Sequence, residues 1–243
     1  MAALLRREIV RLLRQPSRVI GTFGAPALLW VFLAAGFGSV FDRAGNGVSY
    51  ALFLLPGMAT LVAMFSAIFS AMSLIEDRHE GVLQGALVSA APGWSVVGAK
   101  ALGASVVAGA QAAVVLLGAP LVDSRVGMAG VLCGVLACVL AAAGVAGLGL
   151  AAAWKVDSSQ GFHGVMNVVL MPMWLLSGAF FPAESSARWM SWLMALNPLR
   201  WSTDAIRGAL VGEYRALPWL GSFVFAGAML GLACWAMGRA QRR

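Results

Sequence analysis

The sequence predicts an all-α membrane protein with six transmembrane helices, and three observations carry that expectation. Of its 243 residues, 60% are hydrophobic and only 11% are charged. A soluble domain carries about a quarter charged residues, so this supply is too small to coat a water-exposed surface. The apolar residues also fall in continuous runs, each long enough to cross a hydrocarbon core of about 30 Å, which takes about 20 helical residues. Barrel strands would instead alternate over segments of about 10 residues. Finally, the charges collect at the chain ends and between the runs. The length suits one membrane domain, 1–243, with short loops.

Residues 1–18 read as an interfacial helix. Leu4, Leu5, Ile9, Leu12 and Leu13 share one arc, and Arg6, Arg7, Arg11 and Arg14 occupy the opposite one, with Glu8 the exception. Such a helix lies in the membrane interface with its arginines toward the headgroups. A solvated basic terminus would not need the regular arcs. A cleaved leader is disfavoured because the following apolar stretch runs well past the usual length. Pro16 and Ser17 end the helix. The spans then run 19–41, 50–75, 95–121, 126–153, 160–181 and 217–238. Turn chemistry separates the first two at Asp42 to Gly47, and the third and fourth at Val122-Asp123-Ser124-Arg125.

The basic residues set the orientation. With the N-terminus inside, eleven of the 17 Lys and Arg residues fall in the cytoplasm, as the positive-inside rule requires. An even number of spans returns both ends to one side, and both ends are basic. The expected location is therefore a cytoplasmic (inner) membrane, multi-pass, with both termini cytoplasmic. The 29 glycines allow close helix contacts, and Gly130/Gly134 and Gly227/Gly231 have small-xxx-small spacing.

Several function classes find no support. The formal charge of +7 belongs to arginines beside apolar runs, where anionic lipid attracts them, so membrane lipid rather than nucleic acid is the expected partner. Cys133, Cys138 and Cys234 lie inside apolar runs with no zinc spacing, and no metal is expected. No phosphate loop exists, since Gly98-Ala99-Lys100 is followed by Ala101. Gly147-Leu148-Gly149 imitates a dinucleotide fingerprint but sits inside a span, so it reads as helix packing. Nothing pairs a nucleophile with a base, and no catalytic residue is expected.

Polar residues within the spans are few: Gln111, His163 and Asn167. The last two are four apart, hence on one helix face. They either line a translocation path or make ordinary interhelical hydrogen bonds, the latter being favoured. Between spans two and three, 76–93 opens with Glu76-Asp77-Arg78-His79-Glu80-Gly81 and continues with Val82, Leu83, Ala86 and Leu87 at helical spacing. This predicts a short helix with an apolar face. After span five, residues 182–216 carry Trp189, Trp192, Leu193 and Leu196 in an i, i+3, i+4, i+7 pattern. Asn197-Pro198 reads as an N-cap with proline at the first helical position, and Asp204 lies between Arg200 and Arg207 at pairing distance. Two short helices are therefore expected to dip into, or lie on, the outer leaflet.

These residues resemble those of the type-2 ABC export permeases. The likeness covers nearly the whole chain and has three local signatures. Leu55-Pro56-Gly57 opens span two. Glu76 to Gly81 resembles an acidic-arginine-x-x-glycine segment, followed by Gly98-Ala99-Lys100 and Gln111. Leu176-Ser177-Gly178-Ala179-Phe180-Phe181-Pro182, Asn197-Pro198-Leu199, Asp204, Arg207 and Gly208 resemble the C-terminal pattern. Ser89-Ala90-Ala91-Pro92 departs from the bulkier, more basic stretch of many relatives. The resemblance implies a non-catalytic permease subunit working as two permease chains, as a homodimer, with two ABC ATPase subunits. ATP and Mg would be held by those partners, and this chain would bind no cofactor. Segment 76–93 would be the coupling helix, its apolar face seated in the ATPase and Arg78 and Glu80 setting register. The implied work is export of a hydrophobic or amphiphilic substrate, such as a drug, a lipid or a lipid-linked molecule. Polysaccharide or glycolipid export by the same family is the alternative. An ion-gradient-driven secondary transporter would need buried carboxylates or broken helices at matching places in two halves. A force-transmitting membrane anchor is a further alternative.

Overall fold

The computed structural model describes residues 6, 7, 10, 14, 16–43, 47–81, 93–156, 158–183 and 186–240. The chain runs through α1 (Pro16–Arg43), α2 (Tyr50–His79), α3 (Gly93–Leu116), the single turn α4 (Ala119–Val122) and α5 (Met128–Ala153). It continues through α6 (Ser159–Leu175), α7 (Arg188–Leu196), α8 (Pro198–Val211) and α9 (Ala216–Ala240). Among the described residues, five stretches are long and apolar enough to cross a membrane: α1, α2, α3 with α4, α5 and α9. The sixth apolar run gives α6, a helix of 17 residues.

Helix boundaries follow local chemistry. The Ser49 hydroxyl accepts the Leu52 N–H at 3.3 Å and caps the start of α2. That helix does not stop at the charge cluster after residue 75 but continues to His79, because Asp77 and Arg78 find partners inside the bundle, described below. Gly81 then takes a left-handed φ of +74° just past the C-cap Glu80, as a terminating glycine does. The turn between α4 and α5 closes as expected. Asp123 accepts the Arg125 N–H at 2.9 Å, and the Arg125 guanidinium beside it holds its carboxyl down to about 2. Helix α6 stops at Leu175 rather than 181. The Leu176 and Ser177 N–H groups close its last turn on Pro172 and Trp174, and Gly178 reverses the chain with φ +80°.

Helices α2 and α5 form the centre. Nearly all of α2 is buried, and α5 packs against α2, α3, α8 and α9. Small residues make this crowding possible. A Cβ on Gly147 would fall 2.6 Å from the Met229 carbonyl carbon, so only glycine lets the α9 backbone come this close. The fingerprint-like Gly147-Leu148-Gly149 is thus helix packing, with Gly149 set against Ala71 of α2. Gly130 and Gly134 also sit at contacts, with α8 and with Leu116 and Ile206, whereas Gly227 and Gly231 face open space. Helix α1 packs on α2 and leaves Ile20, Phe32 and Val40 exposed. Helix α6 likewise leans on α2 and exposes Val168. Helix α8 differs from a surface helix: Leu199, Ser202, Thr203, Ile206 and Leu210 are all buried among α2, α5 and α9.

Candidate functional site

Two polar centres sit at opposite ends of α2, which with 30 residues is about 45 Å long at 1.5 Å per residue. At the C-terminal end, Asp77 is buried and takes a different cation on each oxygen. Its Oδ2 accepts the Lys100 ammonium at 2.7 Å, and its Oδ1 accepts the Arg7 guanidinium at 3.0 Å. Lys100, itself 2% exposed, also donates to Ser73 Oγ at 2.7 Å. Ser70 Oγ donates to the Lys100 carbonyl at 3.0 Å. This cluster joins the leader, the end of α2 and the start of α3. It therefore clasps the base of the connection that leaves α2 at Gly81 and returns at Gly93.

The neighbouring residues have separable roles. The Arg78 guanidinium donates to the carbonyls of Ala153, Trp154 and Val156, so it caps the C-terminus of α5 with positive charge, where the helix dipole favours it. Glu76 is half-buried and Glu80 exposed. Val82, Leu83 and Leu87 lie outside the described residues, as does Arg11; Arg6 and Arg14 are exposed.

At the N-terminal end of α2 the sequence signatures converge. Gly57 meets Ala179 so closely that any Cβ on it would collide, and its carbonyl accepts the Trp174 indole N–H at 2.8 Å. Tyr50 donates its hydroxyl to the Phe180 carbonyl at 3.2 Å, and the Phe180 ring stands edge-on to Trp174 at 4.8 Å. Arg207 of α8 donates to the Gly178 carbonyl at 2.7 Å and to Asp204 at 3.0 Å, and its guanidinium lies 4.4 Å from the centre of the Phe53 ring. Arg200 reaches the other Asp204 oxygen at 3.2 Å. Asn197 serves two helices at once. Its Oδ1 accepts the Leu199 N–H at 3.1 Å to cap α8, with Pro198 in the first turn, and its side-chain amide donates to the Met173 carbonyl near the end of α6. Residues 176–182 are therefore held between α2 and α8 by the signature residues themselves. Trp189 and Trp192 of α7 are both about two-thirds exposed, 67% and 68%.

The three polar span residues separate. Gln111 is buried, and its side-chain carbonyl accepts the Ser66 hydroxyl, the ordinary interhelical bond. His163 stacks on Phe69 of α2 with ring centres 6.2 Å apart, and its buried Nδ1 meets no hydrogen-bond partner among the described residues. Asn167, one turn further along α6, is half-buried. Sequence reasoning missed the Lys100–Asp77 pair, because a lysine that is the sixth residue of the span expected at 95–121 was counted with the loop charges. The available signal was its isolation: a lone charge that deep in a span requires a partner. It also missed the Thr60–Thr203 and Ser202–Ser222 hydroxyl contacts, at 3.1 and 3.2 Å, which tie α8 to α2 and α9. Among the described residues no three His, Cys, Asp or Glu side chains group to hold a metal ion.

Comparison with known proteins finds relatives over most of the chain. The family model described as "ABC-2 type transporter" matches residues 1–211. Nodulation protein J of Rhizobium leguminosarum bv. viciae is 28% identical over 213 residues, covering 80% of this chain and 75% of that protein. Its counterpart in Neorhizobium galegae is 29% identical over 204 residues, covering 82% and 76%. The "Probable multidrug ABC transporter permease YbhR" of Escherichia coli K12 is 30% identical over 160 residues, covering 65% of this chain and 43% of that longer protein.

Proposed function

This chain belongs to the ABC-2 type transporter family, and we propose that it is the membrane subunit of an ATP-driven exporter moving a hydrophobic or amphiphilic substrate out of the cytoplasm or inner leaflet. The name of the Escherichia coli relative, a multidrug permease, supports the substrate class. Two copies of the chain work with two ABC ATPase subunits, which hold ATP and Mg and do the hydrolysis. Helix α6 is the sixth span. Its 17 residues give about 26 Å, at the lower end of spanning length. Both termini and the Asp77–Lys100 clasp then face the cytoplasm, by the distribution of basic residues, and α7 and α8 lie at the outer leaflet. Since Gln111 is engaged by Ser66, His163 and Asn167 are the remaining candidates for a polar pathway lining.

The observation that carries this reading is the clasp. Because Asp77 of α2 and Lys100 of α3 are joined at 2.7 Å in a buried setting, a push on the intervening segment moves both helices as one body. That is what coupling to an ATPase requires. With Asp77 and Arg78 engaged inside the bundle, the ATPase contact falls to Val82, Leu83 and Leu87, with exposed Glu80 tuning partner choice. The test is the double variant Leu83→Asp/Glu80→Arg. The permease should still insert and purify as a dimer, but lose ATPase co-purification and substrate-stimulated ATP hydrolysis. Full retention of both would place the contact elsewhere, first on the 154–160 loop.

A further inference from the structure

The end of the bundle opposite the clasp contains a cavity of about 470 Å³, inside the size range of small-molecule sites. It lies within a single chain, between the start of α2, the 178–183 loop, α8 and the start of α9. Its described charges are three arginines, Arg200, Arg207 and Arg215, against two carboxylates, Asp204 and Glu213. The balance is one positive charge. Phe53, Val211 and Trp219 supply an apolar wall beside them.

We propose that this cavity binds the phosphate-bearing headgroup of an anionic phospholipid, with the first part of its chains against the apolar wall. Four observations support this. First, Arg207 is already fixed by Gly178, Asp204 and Phe53, so it offers a preorganised positive charge. Second, Arg200 meets Asp204 through Nε alone, and a guanidinium carries five N–H donors in a fork that suits phosphate oxygens. Third, Pro218 and Trp219 line the cavity while their neighbours Leu217 and Leu220 are 71% and 61% exposed. The start of α9 thus lines the cavity and also presents exposed apolar side chains beside it, a surface suited to lipid tails. Fourth, a cavity of about 470 Å³ admits a headgroup and the start of its chains but not a whole phospholipid, so the tails of such a ligand remain in the bilayer. The leaflet that supplies the lipid rests on the orientation proposed above. The binding does not: an inverted topology would change the leaflet and leave lipid retention as it is.

The experiment uses the full chain in nanodiscs of phosphatidylcholine containing a minor fraction of phosphatidylglycerol, with retained lipids counted by native mass spectrometry. The wild type should keep phosphatidylglycerol in preference to phosphatidylcholine. Arg200→Gln should lower that preference about tenfold, the scale of one charge-assisted hydrogen bond, while Arg200→Lys keeps part of it. Arg207 still holds Asp204 in both variants, so the fold is not at stake. Arg188→Gln, on the exposed face of α7, should change nothing. Equal preference in wild type and Arg200→Gln would overturn the proposal. So would displacement of the lipid by soluble glycerol phosphate at the same concentration, since that would make the cavity a free-phosphate site without need of its apolar wall.

Discussion

Replacing Asp77 with leucine should destabilise the bundle by about 3–5 kcal/mol, because it removes the carboxylate that faces a buried ammonium at 2.7 Å. Lys100 is 2% exposed and would keep its bond to the Ser73 hydroxyl, which carries no charge. The converse change, Lys100→Met, should cost less, about 2 kcal/mol. There the Asp77 carboxylate keeps Arg7 at 3.0 Å, but that side chain is 41% exposed and its attraction is screened. The double variant Asp77→Leu/Lys100→Met removes both charges and should return to within about 1 kcal/mol of wild type. The coupling energy is then at least about 4 kcal/mol. Reversible detergent unfolding in bicelles, followed by circular dichroism, measures all four proteins of this cycle. Single variants each within about 0.5 kcal/mol of wild type, and additive, would show that the pair is not a desolvated clasp. The stable double variant also separates folding from coupling. It should bind the ATPase normally yet respond weakly to substrate, because α2 and α3 are no longer tied at the base of their connection.

Three further outcomes follow from the same structure. Gly57→Ala drives a methyl into Ala179 and should cost about 1–3 kcal/mol as overpacking, with Ala179→Gly restoring part of it in the same unfolding assay. Asn197→Ala removes the cap of α8 and the donor to Met173, and should cost about 1–2 kcal/mol; Asn197→Ser, which can still cap, should recover about half. In a background lacking Cys133, Cys138 and Cys234, cysteines at positions 3 and 242 should react only from the cytoplasm and one at 186 only from outside. Opposite accessibility of the two ends would contradict the six-span arrangement.

The long apolar runs made the helices legible in order and nearly in extent, because burial in lipid demands length and leaves a continuous signal. What composition could not reveal was how far each helix continues past its run. Helix α2 extends to His79 because Asp77 and Arg78 are neutralised by Lys100, Arg7 and the end of α5, partners far away in the chain. Helix α6 stops early because Gly178 and Ala179 are needed against Arg207 and Gly57. The local signal at Asn197-Pro198 was readable, since capping depends on neighbours in sequence, whereas Gly81, read as part of the 76–93 segment, ends α2 with a left-handed φ instead. Gly57, Gly178 and Arg207 were visible only as parts of separate motifs, and Tyr50 and Trp174 were not singled out at all, because each gains its meaning from a contact across the bundle.

The most direct test of the account is transport in inside-out membrane vesicles containing this chain with its ATPase. A fluorescent amphiphile should accumulate only with ATP and Mg, stop with vanadate, and fail with Leu83→Asp/Glu80→Arg. Accumulation that follows an imposed proton gradient and ignores both ATP and vanadate would contradict it.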